Sequence, residues 1–180
     1  NANTMNYSVV IGNAAGRNLS GSSQAVIIGR NAGYYVSGND NTFVGTNAGR
    51  TVAAATHATE SSVAVGTDAL YYNSTSNYNV AVGAGALMGA SSDPWMTGDN
   101  NVAVGRQALL NTSTGHTNVA IGYQAGYNVT TALRSQFIGG GGNSVTTAQY
   151  NTIMGYQAGH SLQTTGNNVL IGKNAGRELS

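Results

Sequence analysis

Ten copies of one nine-residue pattern set the limits on how this chain can fold. The consensus is a small residue, usually polar, three apolar or β-branched residues, Gly, two variable residues, Ala, and then Gly or Leu, from which the eighth copy, SQFIGGGGN from Ser135, departs most. It reads SVVIGNAAG from Ser8, AVIIGRNAG from Ala25, NVAVGAGAL from Asn79, NVAVGRQAL from Asn101 and NVAIGYQAG from Asn118. The repeated glycines are Gly12, Gly29, Gly45, Gly66, Gly83, Gly105, Gly122, Gly139, Gly155 and Gly172, at successive spacings of 17, 16, 21, 17, 22, 17, 17, 16 and 17. Self-similarity at a fixed short period is the signature of a repeat architecture, in which each unit buries its apolar face only against its neighbours.

Each unit carries one short run of β-branched residues bounded by turn-formers, which reads as a strand. Ser-Gly or Thr-Gly pairs precede several of the runs, as at Ser37-Gly38, Thr97-Gly98 and Thr114-Gly115. The repeated Gly follows and supplies a corner without steric cost. No stretch keeps a 3.6-residue apolar period, so helices are expected to be few or absent. The expectation is all-β: a single β-solenoid or β-roll over residues 1–180, of about ten 17-residue coils. Each strand is predicted to run from three residues before the repeated Gly to one before it. Hexapeptide, leucine-rich and calcium-binding nonapeptide repeats fail on residue spacing.

Alternation along a strand assigns the faces. The residues one and three before each Gly are expected to face the coil interior. The middle residues form the opposite column: Val10, Ile27, Phe43, Ala64, Ala81, Ala103, Ala120, Phe137, Ile153 and Leu170. That column is wholly apolar, and an exposed stripe of such length would exceed the few hundred Å² that soluble monomers tolerate. The expectation is a self-association face that includes Ala64, Ala81, Ala103, Ala120, Phe43 and Phe137. Ala in the middle coils coincides with Leu70, Leu87 and Leu109 where most other units have Gly, which suggests volume exchanged within one packed layer.

Composition narrows the function. Charged residues make up 7% of the chain, the net charge is +1, and Cys is absent. Disulfide frameworks and thiolate metal sites are therefore excluded. The seven Lys and Arg are scattered, so no basic face marks a nucleic-acid partner. No apolar run approaches the roughly 20 residues of a membrane-spanning helix. His57, His116 and His160 fall at non-equivalent positions, and of the six acids only Asp93 and Asp99 are close in sequence. Neither a catalytic pair nor a metal or cofactor site is expected, and the chain does not read as an enzyme. The four glycines 139–142 lack the Lys-Ser/Thr of a phosphate loop and read as a degenerate corner. Asn at the start of a unit is expected to cap a turn or to stack as an amide ladder. An ice-binding solenoid would need a Thr column, and Thr stands at the strand start only at Thr42 and Thr152.

The two long spacings mark insertions, at about residues 51–61 and 88–100. The second holds the only Trp and the only Pro, with two of the acids. Insertions in solenoids map to loops that often form the binding face. Trp95, Asp93, Asp99 and His57, with Tyr71 and Tyr72, are the expected ligand contacts, because an exposed aromatic beside acceptors suits a sugar.

The segments NVAVGAGAL, NVAVGRQAL and NVAIGYQAG resemble the repeats of phage tail fibres and of bacterial trimeric fibre adhesins. They are also similar to the β-roll heads of trimeric autotransporter adhesins, whose unit is shorter and stricter. The resemblance covers essentially the whole chain. It implies an intertwined or side-by-side homotrimer that is extracellular, on a cell surface or a virion, and attaches to a surface receptor such as a glycan. The alternative is a shaft or filament subunit without a ligand. Neither end of the sequence has a polar capping element, which suggests a piece of a longer fibre.

Overall fold

The computed structural model describes residues 7–19, 24–51, 59–89 and 96–179. Ten three-residue strands follow one another: β1 (Val9–Ile11), β2 (Val26–Ile28), β3 (Thr42–Val44), β4 (Val63–Val65), β5 (Val80–Val82), β6 (Val102–Val104), β7 (Val119–Ile121), β8 (Gln136–Ile138), β9 (Thr152–Met154) and β10 (Val169–Ile171). Every strand occupies the three positions before its repeated Gly, as the pattern predicts. They form one parallel sheet in strict sequence order. Register is in phase throughout, with Ala64 opposite Ala81 and Ala81 opposite Ala103. The chain is an all-β solenoid of about nine turns.

Three regularities keep the coils superposed. The first is the repeated Gly. At Gly12 φ is +133°, and a Cβ there would lie 2.6 Å from the Gly29 carbonyl oxygen, so backbone stacks on backbone at this corner. The second is a set of corner hydrogen bonds between coils, such as Gly29 N–H to Ile11 C=O at 2.8 Å and Gln107 N–H to Ala84 C=O at 2.9 Å.

The third is the side chain that opens each unit. Asn101 N–H donates to Asn79 Oδ1 at 2.8 Å, Asn118 N–H to Asn101 Oδ1 at 2.9 Å, and Ser135 N–H to Asn118 Oδ1 at 3.0 Å. The carboxamide nitrogens of Asn79, Asn101 and Asn118 donate to the carbonyls of Gly98, Gly115 and Ala132. Asn79, Asn101 and Asn118 are fully buried. A buried amide is stable only when both its ends are bonded. The expected amide ladder is therefore present, and it lies inside the molecule.

The two faces of each strand are the reverse of the sequence expectation. The middle residues point inward. Phe43, Ala64, Ala81, Ala103, Ala120 and Phe137 are all 0% exposed within their own chain, so none has surface left for a partner. The flanking residues point outward instead. The reason lies on the return side of the coil, where Leu19, Val36, Val129, Val145 and Leu162 form a second buried apolar column, six or seven residues after the repeated Gly. That column, the strand's middle residue and the Ala after the corner fill the narrow interior between them. A coil this thin admits one inward residue per strand, and the two flanking residues are left outside.

The exchange of volume holds, but within that interior. Ala64, Ala81 and Ala103 share it with Leu70, Leu87 and Leu109, all fully buried. Where the strand carries a large residue instead, as at Ile27 and Phe43, Gly33 and Gly49 make room for it.

Candidate functional site

Of the expected ligand contacts, Trp95, Asp93 and His57 lie outside the described residues. Of the other three, Asp99 and Tyr71 make contacts between coils, and Tyr72 packs on Tyr71. Asp99 belongs to a column that runs beside the amide ladder. Glu60 N–H donates to Asn77 Oδ1 at 2.9 Å, Asn77 N–H to Asp99 Oδ1 at 2.7 Å, and Asp99 N–H to His116 Nδ1 at 3.0 Å. The Asp99 carboxylate is thus already an acceptor for its neighbour.

Tyr71 ends a different column, at the fifth position after the repeated Gly, in which Arg17, Tyr34, Arg50 and Tyr71 alternate. The Arg50 guanidinium lies 5.5 Å from the Tyr34 ring centre and 5.2 Å from that of Tyr71, and Arg17 lies 5.7 Å from Tyr34. Arg50 Nη1 also donates to Tyr71 Oη at 2.7 Å. Tyr72 packs edge-on against Tyr71, with ring centres 4.4 Å apart. Stacking a planar guanidinium on an aromatic face is favourable on a partly exposed surface. Asp99 and the tyrosine pair therefore stand in separate columns, each engaged with its own neighbours.

Two features that the sequence reading missed have the character of recognition surfaces. The first is the outward face of the sheet. It presents two residues from each strand, and all are apolar except Thr42, Gln136 and Thr152. Ile11 is 58% exposed, Ile121 44% and Val82 36%. At about 4.8 Å per strand the face is roughly 43 Å long. Its signal in the sequence was the uniform Val or Ile on both sides of the middle residue, which the inverted assignment had placed inside.

The second feature is a notch at the corner after β8. Elsewhere the third residue after the repeated Gly donates back to that Gly, as Ala125 does to Gly122 and Ala158 to Gly155. At this corner Gly142 N–H donates instead to Ala158 C=O at 2.8 Å, the bond made elsewhere by the residue one place later. Gly126 N–H correspondingly reaches Gly141 C=O rather than that of residue 142. Gly139 and Gly140 therefore span what three residues span in the other coils, and neither has a side chain. The resulting cavity, of about 520 Å³, is bordered by Tyr123 and Gln124 on one side and by Tyr156, Gln157 and His160 on the other. Asn143 also lines it, and its buried Oδ1 has no hydrogen-bond partner. The signal was the 16-residue spacing after Gly139 combined with four consecutive glycines.

Among the described residues no three of His, Asp and Glu gather as a metal site, and no helix is long and apolar enough to cross a membrane. No family model, no curated protein and no solved structure matches the chain.

Proposed function

We propose that this chain is a segment of an extracellular fibre, on a cell surface or virion, that assembles as a homotrimer and attaches to a glycan receptor. The observation that carries the reading is the outward sheet face. An apolar strip of this length on a protein with 7% charged residues favours association over solvation. The strip is only two columns wide, so in a closed three-fold ring each column meets one neighbour, a heterologous contact that closes on itself. The resemblance of the repeats to those of trimeric fibres supports the same arrangement, with the interface on the Val/Ile columns. The fibre shaft without a ligand is the second reading, and the uniform outline of most described coils favours it.

Light scattering on the purified chain tests the assembly: three chains of 18.3 kDa each are expected. A monomer at micromolar concentration would overturn it. Binding of the labelled assembly to arrayed glycans and to intact cells separates attachment from shaft, since a shaft would bind neither.

A further inference from the structure

We infer that the notch after β8 is a binding site for one pyranose unit of a neutral saccharide, held between Tyr123 and Tyr156. This rests on the reading of the chain as a glycan-attaching segment. It gives that activity a place among the described residues.

Four observations converge on the site. Tyr123 and Tyr156 are 58% and 60% exposed, whereas Tyr34 and Tyr71, stacked against Arg50, are half-buried. The Arg106 guanidinium covers one side of the Tyr123 ring, 5.7 Å from its centre, from the coil before. The opposite side of that ring faces the next coil, where Gly139 and Gly140 leave nothing to cover it.

The two tyrosines occupy equivalent positions two coils apart, about 9.6 Å along the axis at the usual strand spacing. That is close to two carbon–carbon contacts of 3.5–4.0 Å plus the thickness of a puckered six-membered ring. The C–H faces of a pyranose are apolar and suit aromatic rings, whose edges and faces take up such contacts readily.

The polar groups around the slot suit hydroxyls. Gln124, Gln157 and Asn143 offer both donors and acceptors. The Tyr123 carbonyl is also available. In other corners this carbonyl accepts from the next coil, as Arg106 C=O does from Gln124 and Tyr156 C=O from Asn174, but no backbone N–H of the β8 coil reaches that of Tyr123. It borders the notch, 3.2 Å from where a Cβ on Gly140 would stand. No carboxylate or Lys lines the cavity, which favours a neutral sugar over a charged one. The volume of about 520 Å³ falls in the range of small-molecule sites.

The test uses the full chain and immobilised neutral oligosaccharides of glucose, galactose, mannose and N-acetylglucosamine. Affinities of the hits are then measured by calorimetry. Tyr156→Ala should weaken the retained sugar at least tenfold. Gly140→Asn removes no partner but places a side chain in the slot, at a φ of +75° that Asn tolerates, and should weaken it as much. Circular dichroism and thermal midpoints confirm that both variants fold. If the wild-type chain retains a neutral sugar equally well in both folded variants, the notch is not the site, and the attachment reading stands with its contact elsewhere. If the wild-type chain retains none of the four sugars, the inference is overturned outright, whatever the cell-binding assay shows.

Discussion

The ring of Phe43 fills the space that a side chain at residue 49 would need: a Cβ on Gly49 would lie 2.5 Å from three of its carbons. One coil later the same two positions hold Ala64 and Leu70, both fully buried. The inward strand residue and the residue six places on are therefore one packing unit whose combined volume is held roughly constant. Ala120 and Gly126 are both small, and there Leu109 and Phe137 lean in from the coils on either side, each 3.0 Å from a Cβ at residue 126.

Gly49→Leu alone should overpack the interior and cost about 1–3 kcal/mol. Phe43→Ala alone should leave a cavity and cost about 3–5 kcal/mol. The double variant reproduces the Ala64/Leu70 pair, and Leu70 already has a φ of +54°, close to the +60° of Gly49. It should therefore be more stable than the sum of the singles by about 2 kcal/mol or more in urea unfolding. Additive losses would mean that the two positions do not share volume.

The amide ladder yields a graded pair. Asn101→Ala removes the acceptor for Asn118 N–H and the donor to Gly115 C=O, and it should cost about 2–6 kcal/mol at roughly 1–3 per orphaned group. Asn101→Ser should cost less than half as much, because Ser62 and Ser135 already stand in this column and their Oγ atoms accept from Asn79 and Asn151. Equal losses from Ala and Ser would show that the column is held by packing alone.

Asp99→Asn should be nearly neutral in stability and in ligand binding. Asn77, one coil earlier, performs the same acceptor role with an amide. Arg50→Lys, by contrast, should lose about 1 kcal/mol of thermal stability, because an ammonium cannot lie flat between Tyr34 and Tyr71 while donating to Tyr71 Oη. A strong loss of binding in Asp99→Asn with folding intact would return that carboxylate to the ligand site.

Ala81→Asp and Val82→Asp differ by one residue along β5 and should fail in different ways. Ala81 is fully buried, so a carboxylate there is an uncompensated interior charge and the chain should not fold. Val82 is 36% exposed on the outward face, so Val82→Asp should fold with a normal circular dichroism spectrum and sediment as a monomer. A folded, assembled Ala81→Asp would reverse the assignment of the faces.

The spacing of the glycines made every strand legible, because a single residue type at a fixed interval leaves one register for the chain. The amide ladder was legible for a related reason: Asn or Ser opens nearly every unit. Which side of the strand faced inward was not legible. A three-residue strand that is apolar at all three positions carries no alternation, so the answer depended on what stands across the coil. The column of Leu19, Val36, Val129, Val145 and Leu162 supplies it, but Asn73 and Thr112 interrupt that column in the middle coils and hide its period. Asp99, Tyr71 and Tyr72 stood out by residue type alone, and residue type did not show that Asp99 and Tyr71 also bond to adjacent coils. The notch was recorded in the sequence as a missing residue, and a gap is harder to see than a motif.

The amide ladder also has a sense of direction. At each link described above, the later coil gives its backbone N–H to the side-chain oxygen of the earlier one, from Ser62 to Asn41 through to Asn168 to Asn151. The column is thus a vector, with a donor side and an acceptor side at every coil. A module of one or more whole coils could be spliced between any two neighbours and find both its surfaces satisfied, provided it entered in the same sense. Reversed, it would set donors against donors at one junction and acceptors against acceptors at the other. Length in such a molecule is free to change by whole coils, while polarity is not.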